Sequence, residues 1–239
     1  MTERLVLLPG WSYSTAVLQP LADRLQALGG DWLRVELAEL PALDDPRHWV
    51  DELNARLPAD SWLGGWSLGG MLAAKLAMRR GKDCHGLITL ASNACFVRRN
   101  DWPTAMSAEQ FADFREGVAN APAAALKRFD LLAVRDADEP RALVRRLAAR
   151  PESSAGLLAG LDCLARLDLR VGLREWPGPQ LHLLGGRDAL VPRQAAQALR
   201  QFFPGARVEL LENASHALPL SHADQAAQII HSHIEEAHR

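Results

Sequence analysis

The chain alternates short, unbroken apolar runs with stretches of helical period, and this rhythm constrains its fold more than any other feature. Leu5-Val6-Leu7-Leu8 is stopped by Pro9-Gly10. A run without polar alternation is what a strand buried on both faces requires, the situation of a parallel sheet. Leu18, Leu21, Leu25 and Leu28 follow at helical spacing and end at Gly29-Gly30, a helix stop. The spacing then predicts a second strand over 32–37. Asp45-Pro46 opens a helix, with Asp as N-cap and Pro in the first helical position. A third, glycine-rich strand at Trp62-Leu63-Gly64 runs into a helix over 68–79, and 87–91 is a fourth strand.

Strands vanish over 97–176, a segment rich in Ala, Leu and Arg whose helices break at Pro122, Pro140 and Pro151. The rhythm returns with strands at 181–184 and 208–211 and helices over 192–203 and 223–237. Strands alternating with helices imply an α/β fold, a mostly parallel sheet of about six strands with helices on both faces. The expected organisation is one core, 1–96 and 177–239, interrupted by a helical cap insertion, 97–176, over the sheet edge.

Composition narrows the function classes. Of 239 residues, 48% are hydrophobic and 23% charged, which is globular and excludes disorder. With 27 basic and 29 acidic residues the net charge is −2, so no nucleic-acid partner is expected. No apolar run reaches the roughly 18 residues of a membrane span, and Met1-Thr2-Glu3-Arg4 is a poor signal-peptide start. Cys84, Cys95 and Cys163 are odd in number and form no CxxC pair, the pattern of a reduced, cytoplasmic protein.

The third strand ends in Gly65-Trp66-Ser67-Leu68-Gly69-Gly70. This is G-x-S-x-G between a strand and a helix, where a sharp turn lifts the Ser hydroxyl above the sheet. The bland alternative is that these glycines only pack a helix tightly on the sheet. A serine needs a base. Among eight histidines, His216 stands in Asn213-Ala214-Ser215-His216-Ala217, a loop after the last strand, at the edge where chemistry collects in open α/β sheets. His48, His85 and His222 lie on or beside helices. His182 sits inside a strand and reads as a core residue. His231, His233 and His238 share the last helix and read as a solvated face; no metal site is expected. Asp188, in the loop after the fifth strand, would orient the imidazole, although it could instead cap the helix after Pro192. The order Ser67, Asp188, His216 is that of one hydrolase class. The backbone N–H of Leu68 and of Trp11, in the loop after the first strand, would hold an oxyanion. No cofactor is called for.

These motifs resemble the α/β-hydrolases over the whole chain, and more narrowly the pimeloyl-[acyl-carrier protein] methyl ester esterases. The narrower match rests on Pro9-Gly10-Trp11, the Trp-Ser-Leu elbow, Thr89-Leu90-Ala91-Ser92-Asn93-Ala94-Cys95-Phe96, Asp101-Trp102-Pro103, Leu167-Asp168-Leu169-Arg170, the run 188–193 and Ser215-His216-Ala217. The resemblance implies an α/β-hydrolase fold. It also implies a monomeric serine carboxylesterase that frees the carboxylate of a pimeloyl chain borne on acyl carrier protein. It places substrate-lining residues at Phe129, Asp130, Leu131, Leu132 and Ala133. The chain departs from the family in having Pro9 before Gly-Trp. It also begins close to its first strand, so a purely parallel six-stranded sheet is expected.

The stretch 98–170 carries 12 basic and 11 acidic residues, but Arg141, Arg145, Arg146 and Arg150 come with no acid among them. Read as i, i+4 pairs on one helix they form a basic face, either solvated or, with Arg128, a dock for an acidic carrier. Other functions stay open: a general carboxylesterase, a peptidase or C–C hydrolase, or a non-catalytic ligand-binding module on the same scaffold.

Overall fold

The computed structural model describes residues 2–148, 150 and 156–238; Pro151, read above as a helix breaker, lies outside them. Six strands form one sheet in the order β2-β1-β3-β4-β5-β6: β1 (Glu3–Leu8), β2 (Leu33–Leu37), β3 (Ser61–Trp66), β4 (Cys84–Leu90), β5 (Gln180–Gly185) and β6 (Arg207–Leu211). Every pairing is parallel. The apolar runs explain the order. Every residue of β3 and β5 is buried, and Leu5, Leu7 and Leu8 of β1 are fully so, whereas the edge strands β2 and β6 are only half covered. Each fully buried leucine side chain contributes about 2 kcal/mol, so the continuous runs take the centre.

Right-handed crossovers fix the helical layers. From β1 the chain turns one way to β2 through α1 (Gln19–Gly29), then reverses through α2 (Trp49–Arg56) to β3. α3 (Leu68–Arg80) continues in that second direction and packs on β1, β3, β4 and α2. α9 (Gln194–Phe202) joins β5 to β6, and α11 (Ala223–His238) returns to lie along α1. Asp45 accepts a hydrogen bond from the Arg47 N–H, as its N-cap reading requires, at the start of a 3-10 turn that leads into α2.

Between β4 and β5 lie α4 (Ala108–Asn120), α5 (Pro122–Ala133), α6 (Pro140–Leu147), α7 (Leu157–Arg166) and α8 (Arg170–Glu175). Pro122 and Pro140 each open a helix, where a missing N–H costs nothing. α8 packs on α3, with Gly172 against Met78, and Leu169 donates to the Ala94 carbonyl. It therefore flanks the sheet, although it falls within 97–176. Between Ala217 and α11 stands a short helix, α10 (Leu218–Ser221).

The histidines correct one expectation. His182 is buried, paired with Thr89 and stacked on Phe203, as a core residue. His233, read as part of a solvated face, is also buried, edge-on to Trp62, and His231 rests on Trp32. The last helix buries that flank against the sheet and α1, an arrangement its own sequence does not reveal. Among the described residues no helix is long and apolar enough to cross a membrane.

Candidate active site

The carboxyl ends of β1 and β3 are neighbours, with Leu8 opposite Gly65, at the point where the chain reverses direction across the sheet. Such switch points leave a crevice for ligands. Ser67 occupies the turn from β3 to α3 at φ 56°, ψ −118°. A non-glycine residue there costs about 1–3 kcal/mol and persists only where its surroundings hold it. They do: its N–H donates to the Leu90 carbonyl at 2.8 Å, and its own carbonyl accepts from the buried Ser92 hydroxyl at 2.9 Å. Side chains are excluded on the inside of the turn. A Cβ on Gly69 would collide with the Leu8 and Pro9 carbonyls, and one on Gly65 with the Gly69 backbone.

His216 follows β6 and is fully buried. Its Nδ1 lies 2.8 Å from Asp188 Oδ2. The other carboxylate oxygen accepts from the Leu190 and Val191 N–H groups at 2.8 and 2.9 Å. Asp188 thus closes its own turn and does not cap α9. A carboxylate only accepts, so Nδ1 carries the proton. In the neutral imidazole this leaves Nε2 as the accepting nitrogen, and that atom is buried and without a protein partner. Trp66, the residue before Ser67, donates from Nε1 to the His216 carbonyl at 2.8 Å, and its ring lies 5.5 Å from the imidazole. The elbow and the histidine loop are therefore clasped directly.

Leu68 opens α3, so its N–H is among those with no partner inside the helix. Trp11 lies in the loop after β1, and that loop packs on Trp66, since a Cβ on Gly10 would sit 3.0 Å from the indole. The Trp11 ring is buried, bonded to the Leu157 carbonyl and edge-on to Phe114 and Phe129. Within the stretch 129–133, Phe129, Asp130 and Ala133 are buried, Leu132 is half-buried, and Leu131 is 56% exposed. Ala133 accepts from the Ala217 N–H, next to His216.

The basic cluster divides. Arg141 and Arg145 are exposed on α6, and Arg128 is exposed on α5. Arg146 is exposed and reaches the Leu220 carbonyl. Arg150 lies beyond α6, which ends at Leu147, so it does not pair with Arg146 on one helix face. Its guanidinium turns inward to Asp130 at 2.6 Å.

Two residues of this site escaped the sequence reading: Tyr13 and Ser92. Tyr13, the chain's one tyrosine, stacks on Trp66 and donates to Asp130 at 2.8 Å. Its place directly after the loop of Trp11 is the signal that could have found it. Ser92 lies within the run 89–96 but carries no pattern that ties it to Ser67.

A family model described as "Alpha/beta hydrolase family" matches residues 5–229, and the chain belongs to that family. Within it, the chain is similar to the pimeloyl-[acyl-carrier protein] methyl ester esterase of Aeromonas hydrophila, 34% identical over 95% of this chain and 93% of the relative. The protein of the same name from Xanthomonas campestris is 36% identical, again over 95% of this chain and 93% of the relative. A "Biotin biosynthesis bifunctional protein BioHC" from Teredinibacter turnerae is 34% identical, and this chain spans 44% of its length. Among solved structures, a bromoperoxidase from Bacillus anthracis superposes with a TM-score of 0.83 at 18% identity, covering 98% of this chain and 92% of that one. An esterase from Exiguobacterium antarcticum gives 0.81 at 20%, with the same coverage. At these identities the structures speak for the fold alone.

Proposed function

We propose that the protein is a serine carboxylesterase that hydrolyses the methyl ester of a pimeloyl chain carried on acyl carrier protein, a step of biotin synthesis. The observation that carries the chemistry is the buried, unpartnered Nε2 of His216, whose tautomer Asp188 sets, clasped through Trp66 to the strained Ser67 turn. Ser67 Oγ attacks the ester carbonyl and its proton passes to Nε2. The Leu68 and Trp11 N–H groups hold the oxyanion. As the tetrahedral centre collapses, the C–O bond to methanol breaks and Nε2 returns the proton to the leaving oxygen. Water, deprotonated by the same nitrogen, then attacks the acyl-enzyme and releases the carboxylate and Ser67.

The acyl chain lies against Phe129, Phe114 and Trp11, an aromatic cluster with ring centres 5.0–5.4 Å apart. Arg128, Arg141, Arg145 and Arg146, all exposed, face the acidic carrier, and Arg150, turned to Asp130, is not among them. The site chemistry needs neither metal nor cofactor, and we place the protein in the cytoplasm as a monomer. Similarity to named relatives supports the substrate, and the geometry supports the reaction type.

The test compares hydrolysis of pimeloyl-carrier methyl ester with that of free short-chain p-nitrophenyl esters. The reading expects higher kcat/KM on the carrier-bound ester and loss of both activities in Ser67→Ala with folding intact. Equal or better turnover of the free esters would instead identify a general carboxylesterase, and retained turnover in Ser67→Ala would remove Ser67 from the chemistry.

A further inference from the structure

Arg150 is the one member of the basic cluster whose charge is turned inward, and it binds three groups around the loop of Trp11. Its Nη2 donates to Asp130 Oδ1 at 2.6 Å. Its Nη1 reaches the Ser12 carbonyl at 3.2 Å and the Ser12 hydroxyl at 3.1 Å. Its guanidinium carbon stands 4.4 Å over the Tyr13 ring. Asp130 in turn accepts from the Tyr13 hydroxyl. Ser12 sits at φ 66°, a left-handed conformation that a serine holds only under constraint. Tyr13 stacks on Trp66, the residue before the nucleophile.

We infer that Arg150 is a positioning residue for the oxyanion loop: from the helical block it clamps the Ser12 carbonyl, and so sets the Trp11 N–H that the proposed reaction uses. The inference rests on the reading of the site given above. A planar fork of donors suits the role, because one guanidinium can hold a carbonyl, a hydroxyl and a carboxylate at once. Asp130 keeps that guanidinium in place and offsets its burial. The block grips the second loop of the site as well, through the Ala133 carbonyl and the Ala217 N–H. The seating of α5 and the geometry of the oxyanion donors are therefore one property. A loop displaced by an ångström loses transition-state hydrogen bonds while the acyl pocket still fills, so kcat falls and KM does not.

The experiment is steady-state hydrolysis of p-nitrophenyl butyrate by wild type, Arg150→Ala and Arg150→Lys. For Arg150→Ala the expected result is a kcat lower by about 10- to 100-fold with KM within about twofold. Millimolar methylguanidine should restore part of the loss, and a trifluoromethyl ketone should bind more weakly in proportion to kcat. Arg150→Lys, a single ammonium without the fork, should recover only a fraction. Where Arg150→Ala does not fold, Asp130→Asn reads the same linkage, since it leaves Tyr13 an acceptor and removes only the charged anchor. Unchanged kcat, or a rise confined to KM for the carrier-bound ester, would overturn the inference. An inactive wild type or an active Ser67→Ala would strike the reading of the site, a distinct outcome.

Discussion

At the scale of single residues, the site depends on which atom of Asp188 faces which donor. Oδ1 meets two backbone N–H groups and Oδ2 meets His216 Nδ1. Asp188→Asn resolves this in one orientation: its carbonyl oxygen must face the two amides, because an NH2 there would meet donors. The amide nitrogen then faces Nδ1, which becomes the acceptor, and the proton moves to Nε2, where it blocks the uptake of the Ser67 proton. We expect kcat to fall by roughly 10⁴-fold with the fold retained, read by ester hydrolysis beside circular dichroism. Near-wild-type kcat would show that the tautomer does not matter. Ser67, Asp188 and His216 could be proposed from the sequence because each lies in the turn or loop after a strand that the apolar pattern identifies. Tyr13 and Ser92 could not, because what they touch is set by packing between segments far apart in the chain.

At the scale of elements, the reading of α6 needed correction. A run with four arginines and no acid invites a continuous basic face, but the helix ends at Leu147 and Arg150 departs from it. The charge left to an external partner is that of Arg141, Arg145 and Arg146 on α6 and Arg128 on α5. Reversing it in Arg141→Glu/Arg145→Glu should raise KM for a carrier-bound ester several-fold, and the ratio of carrier-bound to short-ester kcat/KM should fall accordingly. The effect should fade with added salt as exposed charges are screened. A ratio that does not change would leave α6 with a solvated face and no docking role. α5 shows the same division between its two sides. Asp130 and Ala133 point into the molecule and hold the loops of the site, while the adjacent Leu131 is left to solvent.

For the whole molecule, stability carries a pH dependence built into the core. His182 and His233 are packed where burial holds each pKa down to about 4, from 6.5. Between those values the unfolded chain binds more protons than the folded one, so stability falls as pH drops from about 6.5 toward 4 and is unaffected by these groups above that window. Thermal melts should show a declining Tm across this interval, with a shallower decline in His182→Gln. A decline of equal slope in that variant would assign the effect to other groups. His182 ties β5 to Thr89 of β4 and to Phe203 just after α9, and His233 ties α11 to Trp62 of β3, so protonation acts on the sheet and on the helices packed against it.

The sequence by itself determined the parallel sheet and the helical stretch between its fourth and fifth strands, and it was enough to propose three residues for the chemistry. Each of these is encoded locally: by an unbroken apolar run, by a proline or glycine at a boundary, or by a motif one turn long. Tertiary structure alone decided the pairing of His216 Nδ1 with Asp188, the inward turn of Arg150 and the burial of His233. Those depend on which distant groups the folded chain brings within 3 Å or so of hydrogen-bond reach, and hydrophobic period does not record that. A helix face announces its own polarity but not its neighbour. That is why a cluster read as outward charge contains an arginine whose guanidinium bonds Ser12, next to Trp11.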